Sequence, residues 1–252
     1  MRIDIITIFP NMVEAPLSES LIGRGRENGL FEIKVHDLRD FAYDKHKVVD
    51  DVPYGGGPGM VMKSEPILEA CKKIDPDNKA LRFITSAAGK LFNQEIAISY
   101  SKEDWLIIFC GHYKGVDERV VELANLIEIS IGDFILTGGE HAACVMVDAI
   151  LRLIPGTIKD FGSAEDDSHY TGILGSEEYT RPEEYNGVKV PDGLISGHHE
   201  KIRKWRLGNA LYRTKKRRPD LFEVNNLTND EKKCLNIYEM ELKITETEKC
   251  QK

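Results

Sequence analysis

Trp105-Leu106-Ile107-Ile108-Phe109-Cys110 is an uncharged apolar run that stops at Gly111, and this junction decides the fold class. A run so short, ended by a glycine, suits a strand buried on both faces better than a helix. Comparable runs stand at Ile3 to Phe9, Phe31 to Val35, Leu81 to Thr85 and Leu126 to Ile131. Helix-length amphipathic segments alternate with them, which predicts an α/β domain around a mainly parallel sheet. One such helix starts with Ser64 as its cap and Pro66 in its first turn, leading into Ile67, Leu68, Cys71 and Ile74. Another is predicted over Glu140 to Ile154, opened by Gly138-Gly139 and closed by Pro155-Gly156. Ala142, Val145, Met146, Ala149, Ile150 and Leu153 share one broad face of it, to cover the sheet or a partner subunit.

The 252 residues are 41% hydrophobic and 30% charged, a composition that supports a substantial core and excludes disorder. Asp4 interrupts the apolar start, which is too short to cross a bilayer and unlike a signal peptide, so no membrane association is expected. Five scattered cysteines without a Cys-x-x-Cys pair suit reduced thiols in a cytoplasm. Net charge is -8, yet nine Lys or Arg and no acid lie between Lys201 and Arg218, leaving -17 on the rest of the chain. A basic helix around Ile202, Trp205, Ala210 and Leu211 is predicted there, stopped by Arg217-Arg218-Pro219. The spacing of Leu235, Tyr238 and Leu242 predicts a helical tail. Thr157 to Ser176 has no clean period. The expected organisation is therefore a main domain over 1–158, a flexible connection over 159–175 and a small helical, basic domain over 176–252.

Two glycine clusters fail as nucleotide motifs. In Tyr54-Gly55-Gly56-Gly57-Pro58-Gly59-Met60 the next lysine, Lys63, stands too far from the last glycine for a phosphate loop. The cluster reads instead as a loop where backbone approaches a ligand or partner. Gly23 to Gly29 precedes a strand instead of following one and reads as a connection, which leaves little support for dinucleotide binding. Three segments do follow predicted strands, Thr85 to Lys90, Gly111 to Asp117 and Ser130 to Glu140. Their glycines form a binding edge where the strands end, suited to a flat polar ligand.

The strings YGGGPGM (Tyr54 to Met60), CGHYKGVDER (Cys110 to Arg119), SIGDFILTGGE (Ser130 to Glu140), YTRP (Tyr179 to Pro182) and KIRKWR (Lys201 to Arg206), in this order, resemble the bacterial tRNA (guanine-N1)-methyltransferases, the TrmD family. The resemblance runs from the first strand to about Leu221. It implies a SPOUT-class main domain whose carboxyl-terminal part threads into a trefoil knot. It also implies S-adenosylmethionine held by Ser86, Gly111, Tyr113 and Gly115, by Ser130, Ile131, Gly132, Asp133, Phe134, Ile135 and Leu136, and by Gly138 and Gly139. A homodimer with each active site at the subunit interface follows from the same resemblance. So does methylation of guanine N1 at tRNA position 37, on the 3′ side of the anticodon.

By position within the resemblance, Asp167 matches the catalytic aspartate and Arg152 the catalytic arginine. Guanine N1 carries a proton at neutral pH, so the reaction needs a base, Asp167, and a cation, Arg152, for the charge that builds toward O6. Asp166 is the neighbouring alternative base. Several residues depart from the family: Lys114 where glutamate is usual, His112 where arginine is usual, Ala87-Ala88 where Pro-Gln is common, and His169 after Ser168, beside the proposed base. Mg2+ enters as a second cofactor of the family, but Lys114 near a sulfonium and a metal is electrostatically unfavourable, and no residue is assigned as a metal ligand. The competing readings are a SPOUT-class methyltransferase of another RNA site and an RNA-binding protein without activity. The absence of zinc-type spacing, a nucleophile elbow or a Ser-His-Asp order speaks against a hydrolase.

Overall fold

The computed structural model describes residues 1–159, 167–223 and 226–250. Asp166 and the rest of residues 160–166, within the expected connection, lie outside them. The chain divides into two compact units, Met1–Phe161 and Gly162–Lys252.

In chain order the strands of the first unit are β1 (Arg2–Thr7), β2 (Glu32–Asp37), β3 (Asp50–Asp51), β4 (Val61–Met62), β5 (Leu81–Leu91), β6 (Trp105–Phe109) and β7 (Ile127–Ser130). Its helices are α1 (Pro10–Leu17), α2 (Ser20–Glu27), α3 (Ser64–Ile74), α4 (Gln94–Tyr100), α5 (Arg119–Leu123) and α6 (Glu140–Leu151). β3 and β4 form a separate antiparallel pair. The other five strands make one sheet, order β2-β1-β6-β5-β7, and every neighbouring pair is parallel. β1 and β6 lie inside that sheet with both faces covered, so Ile3, Ile5, Ile6, Leu106, Ile107 and Ile108 are all buried. This is why their sequences are apolar runs and not alternating patterns.

Asp4 is the exception in β1, fully buried yet charged. Arg2 donates to it through Nε at 2.6 Å and Nη2 at 2.9 Å, Trp105 Nε1 at 2.7 Å, and His36 Nε2 lies 2.7 Å away. Burial pushes the carboxyl's pKa up, but the hydrogen bonds of His36, Arg2 and Trp105 outweigh it and hold the group below its ordinary 3.8. Its stabilisation is therefore complete above that value and is lost as pH falls through the lower, folded-state value. Asp4→Asn is expected to cost about 3 kcal/mol near neutral pH. It should also flatten the acid limb of stability, as read by urea unfolding of the two chains across pH; matching limbs would refute the assignment.

The structure corrects several local expectations. Lys63, with no side-chain bond, occupies the cap of α3, and Ser64 is its first helical residue. Pro66 still falls in the first turn, where its missing N–H costs nothing. α6 ends at Leu151, three residues early, because Leu153 N and Ile154 N bond back to Ile150 and Leu151 and tighten the chain into turns. Val145, expected on the covered face of α6, is exposed. Gly23 and Gly25 lie inside α2, not in a connection. A Cβ on Gly23 would sit 2.1 Å from the Ser18 carbonyl oxygen, so close packing outweighs the poor helix propensity of glycine. Thr85 to Lys90 is not a loop after β5 but part of it, crossing a register shift against β7.

The second unit holds an antiparallel pair, β8 (Glu184–Tyr185) with β9 (Val188–Lys189), which the reading of a purely helical domain did not anticipate. After it come α7 (Asp192–Ile195), α8 (His199–Arg217) and α9 (Asn229–Cys250). α8 is the expected basic helix, ending ahead of Pro219. It meets α9 closely at Gly208, where a Cβ would lie 2.6 Å from the Cys234 carbonyl oxygen, and Trp205, Leu211, Leu235 and Tyr238 are buried. Among the described residues no helix is long and apolar enough to cross a membrane.

Candidate functional site

β5, β6 and β7 are neighbours and parallel, so their carboxyl ends open on the same edge of the sheet. Thr85 of β5 ties that edge together. Its hydroxyl accepts from Gly111 N at 2.9 Å, just past β6, and Gly139 N donates to Gly111 O at 2.7 Å. The three segments touch so closely that a Cβ on Gly139 would lie 1.8 Å from Thr85 Oγ1 and 2.9 Å from Gly111 N. Only glycine fits there. One residue on, His112 pairs with Gly138 in an antiparallel bridge.

A cavity of about 610 Å³ opens over this junction. Ser86 borders it from β5, Gly111, Tyr113 and Gly115 from the segment after β6, and Ser130, Ile131 and Gly132 from the end of β7. Phe134, Ile135, Leu136, Gly138 and Gly139 complete the side leading to α6. Of the thirteen positions that the resemblance marks for cofactor contact, Asp133 is the one outside this lining, on the exposed part of the same loop. Thr85, His112, Lys114, Glu118, Glu128 and Thr137 also line the cavity without having been singled out as contacts from the sequence.

Beneath the edge, Glu140 is fully buried at the start of α6. Its Oε1 accepts from Thr7 Oγ1 at 2.7 Å, and its Oε2 lies 3.7 Å from His112 Nδ1. The end of β1, the loop after β6 and α6 are joined by this contact. A glutamate after two glycines reads in sequence as a helix start, and nothing there marks its burial. Burial also pushes the Cys110 thiol well above its ordinary value, so it stays protonated and is not a nucleophile.

The glycine cluster at Tyr54 to Met60 borders the same site. Lys114 N donates to Met60 O at 3.0 Å, and Met62 N to Gly115 O at 2.9 Å. The Lys114 stem lies on Gly59, where a Cβ would be 2.9 Å from its Cγ and Cδ. The lysine thus runs along the glycine loop. Among the described residues no group of three or more His, Cys, Asp or Glu could hold a metal ion. Lys114 lines the cavity together with the carboxylates Glu118 and Glu128.

Arg152 caps the carboxyl end of α6, half-buried, in the first unit, where a cation suits the helix dipole. Arg152 does not line the cavity, and Asp167 is exposed in the second unit. In the second unit two of the quoted motifs meet, with Tyr179 edge-on to Trp205 at 6.4 Å between ring centres. The basic run is less free than its sequence suggests. Arg203 pairs with Glu200 and Asp230, Lys204 with Glu200, Arg206 with Glu178, Arg213 with Glu177, Lys215 with Glu239 and Arg218 with Asp220. Lys201, Lys216 and Arg217 are exposed and have no ion pair among the described residues.

Comparison with known proteins gives one consistent result. The family model described as tRNA (Guanine-1)-methyltransferase TrmD matches residues 1–224. A tRNA (guanine-N(1)-)-methyltransferase of Dictyoglomus turgidum is 49% identical over 243 residues, covering 96% of this chain and 98% of the relative. The protein of the same name in Clostridium perfringens strain SM101 is 49% identical over 93% of this chain and 99% of its own length. That of Dehalococcoides mccartyi is 48% identical over 94% and 96%.

Proposed function

The chain belongs to the tRNA (guanine-1)-methyltransferase TrmD family and is an enzyme of that class; we propose that it methylates guanine N1 at tRNA position 37 with S-adenosylmethionine. The observation that carries this reading is the glycine-walled cavity at the ends of β5, β6 and β7. Its volume of about 610 Å³ suits a ligand of this size. Gly138 and Gly139 let the segment before α6 close onto His112, Thr85 and Gly111, and both border the cavity. S-adenosylmethionine held there supplies an electrophilic methyl group on its sulfonium. The cofactor contacts proposed are the thirteen positions named above, Asp133 included.

Asp167 removes the N1 proton, and Arg152 stabilises the charge that spreads to O6. No step is assigned to Mg2+. Lys201, Lys216 and Arg217 supply phosphate contacts to tRNA, and the target base leaves its stack to reach the pocket. The trefoil knot is part of the proposal, and it rests on the family to which the chain belongs. So is a homodimer, supported by the exposed Phe134 and Ile135 on the cavity wall and the exposed Val145 on α6. A cytoplasmic setting is part of the same proposal, supported by the tRNA substrate. Methyl-labelled S-adenosylmethionine offered with total tRNA and with ribosomal RNA tests the reading. Label is expected on tRNA; label on ribosomal RNA alone would favour another RNA site, and none on either an inactive RNA binder.

A further inference from the structure

Resting on the reading of Asp167 as the base, we propose that α8 sets the placement of Asp167, with Thr214, Asn209 and Ser168 acting as positioning residues. From Asp167 to Thr180 the chain has neither helix nor strand, so its backbone groups must find partners elsewhere. They do so in two steps. First, the segment closes on itself: Tyr170 N donates to Asp167 O at 3.3 Å, His169 N to Ile173 O at 2.7 Å, and Gly175 N to Ser168 Oγ at 2.9 Å. Second, the closed turn is fastened to α8. Leu174 N donates to Thr214 Oγ1 at 2.9 Å, Arg213 Nη1 to Gly175 O at 2.5 Å, and Glu177 N to Asn209 Oδ1 at 2.7 Å.

The two acceptors on α8 are themselves fixed. Thr214 is fully buried and its hydroxyl donates to Ala210 O at 2.7 Å, which leaves only a lone pair for Leu174. Asn209 is buried too. Its Nδ2 donates to Tyr238 Oη on α9 at 2.8 Å, which turns its Oδ1 toward Glu177. A buried acceptor whose other bond is committed cannot rotate away, so the turn meets a preorganised surface. His169, two residues after Asp167, has φ of +74°, a left-handed conformation that a non-glycine residue keeps only where its surroundings over-determine it. Lys216 and Arg217, two of the cations assigned to tRNA phosphates, follow Thr214 at the end of α8. RNA seated on those cations therefore loads the same helical turn that holds Leu174 and Gly175.

Thr214→Val keeps the buried shape but removes the acceptor, and Ser168→Ala removes an exposed hydroxyl with little risk to folding. Both are expected to lower kcat by about tenfold or more, since small displacements of a reacting group have costs of this order. KM for tRNA should stay near wild type; the thermal midpoint of Thr214→Val should fall by a few degrees for the lost bond while that of Ser168→Ala stays near wild type, and Thr214→Ser should restore the rate. In an Asp167→Ala background, Thr214→Val should lower the rate no further, because it acts through Asp167. A wild-type kcat in Thr214→Val and Ser168→Ala would overturn the proposal. So would an effect on KM for tRNA alone, or a further fall in the double variant. Full activity of Asp167→Ala itself would instead overturn the assignment of the base, and the positioning role with it.

Discussion

Asp167→Ala is expected to lower the rate constant for methyl transfer by about 10²- to 10⁴-fold, the range of a lost general base, while S-adenosylmethionine and tRNA bind as before. The expectation follows from the chemistry of the target. N1 of neutral guanine holds a proton where the methyl group must go, so attack requires that the proton leave. Asp167 is assigned to the proton of the guanine and not to the methyl donor, which separates its effect from cofactor affinity. kcat and kcat/KM should therefore fall together, the signature of an interaction made in the transition state. Single-turnover rates with saturating RNA measure this directly. A variant that binds both partners and methylates at the wild-type rate would remove Asp167 from the mechanism. Raising pH should partly restore the variant, since hydroxide then removes the proton in place of the carboxylate.

The second large effect is expected at Gly139. A methyl group there would overlap Thr85 Oγ1 and press on Gly111 N, so Gly139→Ala must push the segment before α6 away from the end of β6. Overpacking of this kind costs about 1–3 kcal/mol. The movement opens the cavity floor, so most of that cost should appear in cofactor binding, as roughly a 10- to 100-fold loss of affinity. Calorimetric titration with S-adenosylmethionine reads it, and a melting curve confirms that the sheet persists. Unchanged affinity would mean that the Thr85, Gly111 and Gly139 contact does not shape the cofactor site.

How legible these features are in the sequence depends on whether their partners are near in the chain. Ile3 to Ile6 and Leu106 to Ile108 announce buried parallel strands because both faces are covered, and no partner need be known. The same logic fails at Gly23 and Gly25. Their use inside a helix depends on Ser18 and Phe31, and a glycine-rich string looks alike in a turn and in a close packing. Ser86 to Gly89 look like a loop because a register shift inside a strand leaves no period. On the site, Gly138 and Gly139 stand out from their position after a strand, whereas Thr85 and Glu140 do not, since each acts through residues far along the chain. The basic run is plain from composition. That Arg206 meets Glu178 and Lys215 meets Glu239 depends on tertiary placement, and it reduces the free charge to fewer cations than counting suggests. Lys114 shows the reverse case. It is conspicuous as a departure, and its lie along Gly59 explains how a lysine is accommodated at that edge.

The central claim is the identity of the methylated atom. The most direct measurement uses the purified chain, methyl-labelled S-adenosylmethionine and an unmodified tRNA with guanosine at position 37, followed by digestion to nucleosides and mass spectrometry. The label is expected in 1-methylguanosine alone, and it should vanish when the guanosine at position 37 is replaced by adenosine. Label in any other nucleoside, or label that survives that replacement, would contradict the account.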